Sequence, residues 1–237
     1  MSASIVQIVT GRLVRGGLAA LAMVGTLAGA GVAAEEPKEA PRPLVLFDGK
    51  TLDGWAKTDF YGAEKVDVRV EDGRIVMPLG NPLSGVTTTR TDLPKSNYEL
   101  TYEAMRLEGT DFFAAATFPV GDSFLTLVNG GWGGHITGLS SLDGADASEN
   151  ETARGFSYKN DTWYRFRVRV TDEAIRVVID DKPMIAVDLE NRHLGTRIET
   201  RSSQPLGFAT WESAGAVRNV QIRKLTSAEI AENRVED

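Results

Sequence analysis

From Leu44 onward the apolar residues of this chain recur at every second position, and no other feature limits its fold as strongly. Tyr98, Leu100, Tyr102 and Ala104 share one face of an extended segment, with Glu99, Thr101 and Glu103 on the other. Phe166, Val168 and Val170 alternate in the same way with Arg165, Arg167 and Arg169. The runs 174–179 and 184–189 flank Asp180-Asp181-Lys182-Pro183, which has the chemistry of a hairpin turn. A closing strand is expected over 217–225. Turn signals fall roughly every 8–12 residues, the spacing of a sandwich. Only 226–234 has a helical character, with Thr226 or Ser227 as its N-cap. The expected fold is all-β: one β-sandwich domain over 44–225, then a short C-terminal helix and tail over 226–237.

The first 34 residues read as an address. Arg12 and Arg15 precede an apolar, small-residue run from Leu18 to Ala33, and Val32-Ala33-Ala34 suits cleavage before Glu35. This run is shorter than the ~20 residues of a membrane span, so no span is expected once the signal is removed. Residues 35–43 form a Pro-rich charged linker. The 237-residue chain has no cysteine, which excludes disulfides, thiolate metal sites and a cysteine nucleophile. Export without cysteine suits a bacterial periplasm, cell surface or extracellular space. A net charge of −7 argues against a nucleic-acid partner, because phosphate neutralisation needs a basic face.

Phe47-Asp48-Gly49-Lys50-Thr51-Leu52-Asp53-Gly54-Trp55 resembles the opening signature of the 3-keto-disaccharide hydrolase domain family. Val70-Glu71-Asp72-Gly73-Arg74-Ile75-Val76, Trp163-Tyr164-Arg165 and Val217-Arg218-Asn219-Val220-Gln221-Ile222-Arg223 extend the resemblance in order over nearly the whole domain. It implies a concanavalin A-like jelly roll, often exported, that acts on or binds sugars. Where members of that family carry Asn-Ser-Gly and Glu-x-Gln strands, this chain reads Thr110-Asp111-Phe112-Phe113 and Phe124-Leu125-Thr126-Leu127.

Cleavage of a 3-keto glycoside is an elimination followed by hydration. The ketone acidifies the neighbouring C2 proton, so the site needs a general base and a group that stabilises the enolate oxygen. With two histidines in the chain, His135 is the candidate base, at the end of Asn129-Gly130-Gly131-Trp132-Gly133-Gly134. Glu103 or Glu212 is its candidate partner. Trp132 and Trp211 are candidate stacking walls for a sugar ring, with Asn129 and Arg154 as further substrate-binding candidates. His193, in a polar loop, reads as a solvated residue. Asp143, Asp146 and Glu149 offer oxygen ligands at close spacing, so a divalent cation such as Ca²⁺ is a candidate cofactor, although the spacing is not that of an EF-hand.

Glu99-Leu100-Thr101-Tyr102-Glu103 has the spacing of a glucanase Glu-x-Asp-x-Glu strand but carries Thr101 at the centre. Strand positions four apart are ~13 Å from each other, against the ~5 Å between the carboxyls of a retaining glycosidase. These glutamates are better matched to Arg165, Arg167 and Arg169 on a neighbouring strand, while Glu103 remains a candidate for a concave face. Two functions follow: a 3-keto-glycoside hydrolase, or a lectin-like carbohydrate-binding module of the cell envelope. A purely structural envelope protein is a third.

Overall fold

The alternating runs form strands whose apolar sides meet between two sheets. The structure, a computed structural model, describes residues 41–235; the signal expected over 1–34 lies outside the described residues. In chain order the strands are β1 (Leu44–Val45), β2 (Trp55–Lys57), β3 (Arg69–Glu71), β4 (Arg74–Met77) and β5 (Leu83–Thr88). Next come β6 (Tyr98–Gly109), β7 (Ala115–Val120), β8 (Ser123–Gly130), β9 (Ile136–Ser140) and β10 (Arg154–Gly155). The last five are β11 (Trp163–Val170), β12 (Ala174–Ile179), β13 (Lys182–Asp188), β14 (Gly207–Trp211) and β15 (Ser213–Lys224). One antiparallel sheet of eight strands has the order β13-β12-β11-β6-β15-β4-β3, with β1 also paired to β15. The second, of seven, runs β10-β9-β8-β7-β14-β5-β2.

The core lies between them. Tyr98, Leu100, Tyr102 and Ala104 of β6 are buried, as are Phe166, Val168 and Val170 of β11. The facing sheet contributes Phe118, Leu125, Leu127, Leu139 and Phe208. Tyr102 stacks on Phe166 at 4.8 Å and meets Phe208 edge-on at 4.9 Å, so aromatic rings bridge the sheets. Trp55 packs on Phe208 and donates its indole N–H to the Leu46 carbonyl at 2.7 Å. Each side chain of this size contributes roughly 1.5–3 kcal/mol on full burial. Asp180 and Asp181 form the expected hairpin turn with φ of 47° and 63°, the left-handed pair that a tight two-residue connection requires.

The polar side of β6 faces outward, where its register meets arginines on both sides. Glu99 lies opposite Arg169 and Arg223, and Glu103 opposite Arg165 and Arg218. Arg169 and Arg223 donate to Glu99 at 2.6 and 2.8 Å. Arg218 and Asn219 donate to Glu103, each at 2.7 Å. Partial burial works against the charge of Glu103, but these hydrogen bonds outweigh it and hold its pKa below the usual carboxylate value.

The C-terminal helix, Ser227–Glu232, is docked on this charged face. Thr226 is its N-cap, and Glu229 closes a capping box with it. The Glu229 carboxylate also accepts from Arg223 at 2.6 Å and pairs with Arg169. The hydrogen bonds from Arg223 are the main reason that its pKa falls from 4.5 to about 2. A lowered pKa stabilises the fold above pH 4.5 and ceases to do so as pH falls towards 2, a contribution on the order of 3 kcal/mol. The variant Glu229→Gln keeps a capping side chain but loses the charge. Thermal melts should show it several degrees less stable than the parent at pH 7, with the two curves converging between pH 4.5 and 2. A constant offset across that range would exclude the ion pair as its cause.

Candidate functional site

The hairpin joining β8 to β9 shapes one end of the seven-stranded sheet. Its turn, Gly131–Gly134, holds Trp132 and Gly133 at φ of 51° and 77°, and Gly134 at 98°. A Cβ on Gly134 would lie 2.5 Å from the Thr110 carbonyl oxygen, so the turn can sit this close to the preceding loop only with glycine there. Asp111 fastens the turn. Its Oδ2 accepts from the Gly133 N–H at 2.9 Å and its Oδ1 from the Phe112 N–H at 2.8 Å. Its own N–H donates to Ser213 Oγ at 2.9 Å. Trp132 is thus presented outward on a tethered backbone and stays 43% exposed.

Strand β14 supplies the facing wall. Phe208 points into the core, so Trp211, three positions on, points out of the sheet and tilts against Phe112 at 6.3 Å. The long connection 189–206 crosses the outer surface of the same sheet. Thr200 Oγ1 lies 3.2 Å from Thr126 Oγ1, and Thr87 Oγ1 donates to the Ser202 carbonyl at 3.1 Å. This crossing carries Arg197 and Glu199 over the strands. Arg197 makes a two-point contact with Glu199, at 3.1 and 3.0 Å, and also pairs with Asp146.

Together these elements enclose a cavity of about 240 Å³. Phe112, Trp132 and Trp211 give it aromatic walls, and Thr126, Ser140 and Thr200 a hydroxyl-bearing floor beside Val128. Asp111, Arg197 and Glu199 supply charge. The hydrogen bonds from Arg197 hold Glu199 below the usual carboxylate range, and those bonds also raise Arg197 above the ordinary guanidinium value. Aromatic walls with a few convergent polar groups suit a ring with an apolar face and a hydroxylated edge.

Of the residues singled out in the sequence, Trp132 and Trp211 meet in this cavity. His135 follows the turn but is exposed; its backbone N–H bonds to the Gly131 carbonyl, and its ring is not in the cavity lining. Glu212, at φ 42°, is likewise exposed beside Trp211 rather than part of the lining. Glu103 is corrected outright: it lies on the outer face of the eight-stranded sheet, which the core separates from the cavity. Asn129 shares the inward parity of Leu125 and Leu127 and is fully buried, so it cannot contact a ligand in the cavity. Arg154 is exposed and donates to the Glu151 and Ala153 carbonyls, both at 2.8 Å.

The acidic loop is organised by arginines. Asp143 accepts from Arg192 at 2.7 Å and from the His193 N–H at 2.8 Å, while Asp146 pairs with Arg197 and Glu149 faces solvent. Among the described residues no three His, Asp or Glu side chains are grouped to hold a metal ion. Asp143, Asp146 and Glu149 therefore do not fit the expected Ca²⁺ site, because two of the three carboxylates are directed to cationic partners. Asp111, Arg197 and Glu199 were not anticipated. For Arg197 and Glu199 the one sequence signal was the length of the 189–206 connection, since long connections within compact domains tend to be functional; Asp111 had none beyond its place in Thr110-Asp111-Phe112-Phe113, where the chain departs from the family pattern.

No curated protein matches the chain. Among solved structures it is similar to domain 4 of AbnA, a GH43 extracellular arabinanase from Geobacillus stearothermophilus, crystallised with arabinotriose. That match has a TM-score of 0.51 at 12% identity and covers 82% of this chain and 99% of that one. It is also similar to a laminarinase from Flavobacterium sp. UMI-01, with a TM-score of 0.50 at 12% identity over 78% of this chain and 100% of that one. At such identity these likenesses establish the sandwich fold alone. A family match is more specific. The model of the 3-keto-alpha-glucoside-1,2-lyase-like domain covers residues 43–223, from before β1 to within β15, and the chain belongs to that family.

Proposed function

We propose that the protein is exported and cleaves a 3-keto-glycoside held in the cavity by Trp132 and Trp211. The observation that carries this reading is the placement of a carboxylate, Asp111, and a guanidinium, Arg197, in the lining of one small aromatic-walled cavity. A volume of about 240 Å³ is suited to one sugar ring; drug-sized ligands occupy roughly 300–1,000 Å³. With the apolar ring face against tryptophan, Asp111 removes the C2 proton as the C1–oxygen bond breaks, and returns it to the departing oxygen. Arg197 stabilises the enolate oxygen at C3 while charge develops there. Water then adds across the resulting double bond. Glu199 and Asp146 orient Arg197. The hydrogen bonds from Arg197 lower the pKa of Glu199 further, which makes it a poor proton donor. The family match supports this chemistry, and the reaction is assigned to Asp111 and Arg197 rather than to His135 and Glu103.

A second reading, a carbohydrate-binding module, is favoured by one observation: Arg197 is already bound to two carboxylates. The two separate on turnover. Incubation with a 3-keto-glucoside should release 3-keto-glucose, with or without a chelator, and Asp111→Asn should slow release by about 10²–10⁴-fold. His135→Ala should leave the rate little changed. No release by the parent protein, combined with glycan binding that disappears in Trp132→Ala, would establish the module instead.

The turn geometry gives a further expectation. Gly134→Ala places a Cβ against Thr110 at a positive φ, which costs roughly 1–3 kcal/mol and moves Trp132. Glycoside affinity and melting temperature should fall together in this variant. Retained affinity in a destabilised protein would show that Trp132 is not a binding wall.

A further inference from the structure

The outer face of the eight-stranded sheet carries three successive cross-strand rows formed by β11, β6 and β15. The first is Arg169–Glu99–Arg223 and the third Arg165–Glu103–Arg218. Each has a carboxylate at the centre with a guanidinium on both sides. One arginine of each row also has its charge matched from outside the row: Glu229 pairs with Arg223, and Asp181 with Arg165. The middle row differs. It reads Arg167–Thr101–Gln221, with a hydroxyl where its neighbours have a carboxylate.

Arg167, Thr101 and Gln221 are all half-buried. Among the described residues, none of their side chains forms a hydrogen bond or ion pair. Every other arginine in these rows has an ion-pair partner. Arg167 and Thr101 line a groove of about 260 Å³, with Val178 as its apolar wall. Two acids and a second arginine also line that groove, but they are already committed: Glu99 to Arg169 and Arg223, and Asp181 to Arg165.

We propose that this middle row binds a small carboxylate-bearing ligand, whose carboxylate takes the place that Glu99 and Glu103 occupy in the adjacent rows. Arg167 is the cationic fork and Thr101 supplies a hydroxyl donor, both in the groove lining; Gln221 completes the row on the far side of Thr101. A planar monoanion matches the fork of one guanidinium. A phosphate brings a second charge, for which the row has no second unmatched cation. The site lies on the opposite sheet from the cavity and does not depend on the glycoside reading.

Titration of the full protein with D-glucuronate at low salt provides the test, with D-glucose and inorganic phosphate as comparison probes. Glucuronate should bind, weaken as salt is raised, and lose at least about tenfold in affinity in Arg167→Gln. Trp132→Ala should leave glucuronate binding unchanged. Thr101→Glu supplies the carboxylate from the chain itself, so it should abolish binding while holding or raising the melting temperature. Binding that survives both Arg167→Gln and Thr101→Glu would overturn the proposal, as would loss in Trp132→Ala alone. Phosphate binding as tightly as glucuronate at Arg167 would overturn the carboxylate assignment, and equal binding of glucose would remove the role of charge.

Discussion

The contact between Tyr102 and Phe208 joins the two sheets, and the rest of the structure is arranged around it. Tyr102 lies well inside β6, the longest strand of the eight-stranded sheet along with β15, and Phe208 is the second residue of β14 in the other. Their rings meet edge-on, Phe166 stacks behind one and Trp55 behind the other. Fixing Phe208 inward sets the parity of β14. Trp211 must then point outward, where it forms a wall of the cavity. A one-residue slip of that strand would exchange the two roles and lose both core and cavity.

Each sheet therefore has one face committed to the core and one available for chemistry. On the eight-stranded sheet, charge neutralises charge: glutamates in the middle strand, arginines on both neighbours, and the C-terminal helix pinned by Glu229. On the seven-stranded sheet the outward residues under the 189–206 connection include Thr117 and Thr126, whose hydroxyls bond to one another at 2.9 Å. That polar but uncharged floor allows the 189–206 connection to lie across it and bring Arg197 into the cavity. A charged lattice would instead have matched Arg197 on the sheet surface.

Much of this was legible in the sequence wherever local periodicity decides the outcome. The alternation at Tyr98–Ala104 and Phe166–Val170 became paired core strands, and the pairing of Glu99 with Arg169 followed from the same alternation. Trp132 and Trp211 were identified because an aromatic beside glycine or at a strand end has few structural duties. Asn129 was misplaced although its parity with Leu125 and Leu127 was visible; the run of glycines after it suggested a loop where the strand in fact continues. Asp111 was not legible as a partner of Arg197 and Glu199, because it comes from one loop and they from another, and the paths of both depend on tertiary packing. His135 shows the complementary case: residue type nominated it, but it is exposed at the foot of the turn and is not part of the cavity lining.

The glycine-rich turn owes its composition to what lies beneath it. Arg106, almost fully buried, donates through Nε to Asn160 and through Nη2 to the Tyr158 carbonyl, both at 2.6 Å. Burial pulls its pKa below the ordinary guanidinium value, and these acceptors offset part of that cost. Its Nη1 lies 3.6 Å from where a Cβ on Gly130 would stand and 3.4 Å from one on Gly134. The turn thus closes over a buried cation and against the Thr110 carbonyl, with Asp111 bonding to it from the side. Glycine here serves close approach rather than mobility. The same packing that removes side chains from positions 130 and 134 leaves Trp132 as the ring that the turn presents to the cavity.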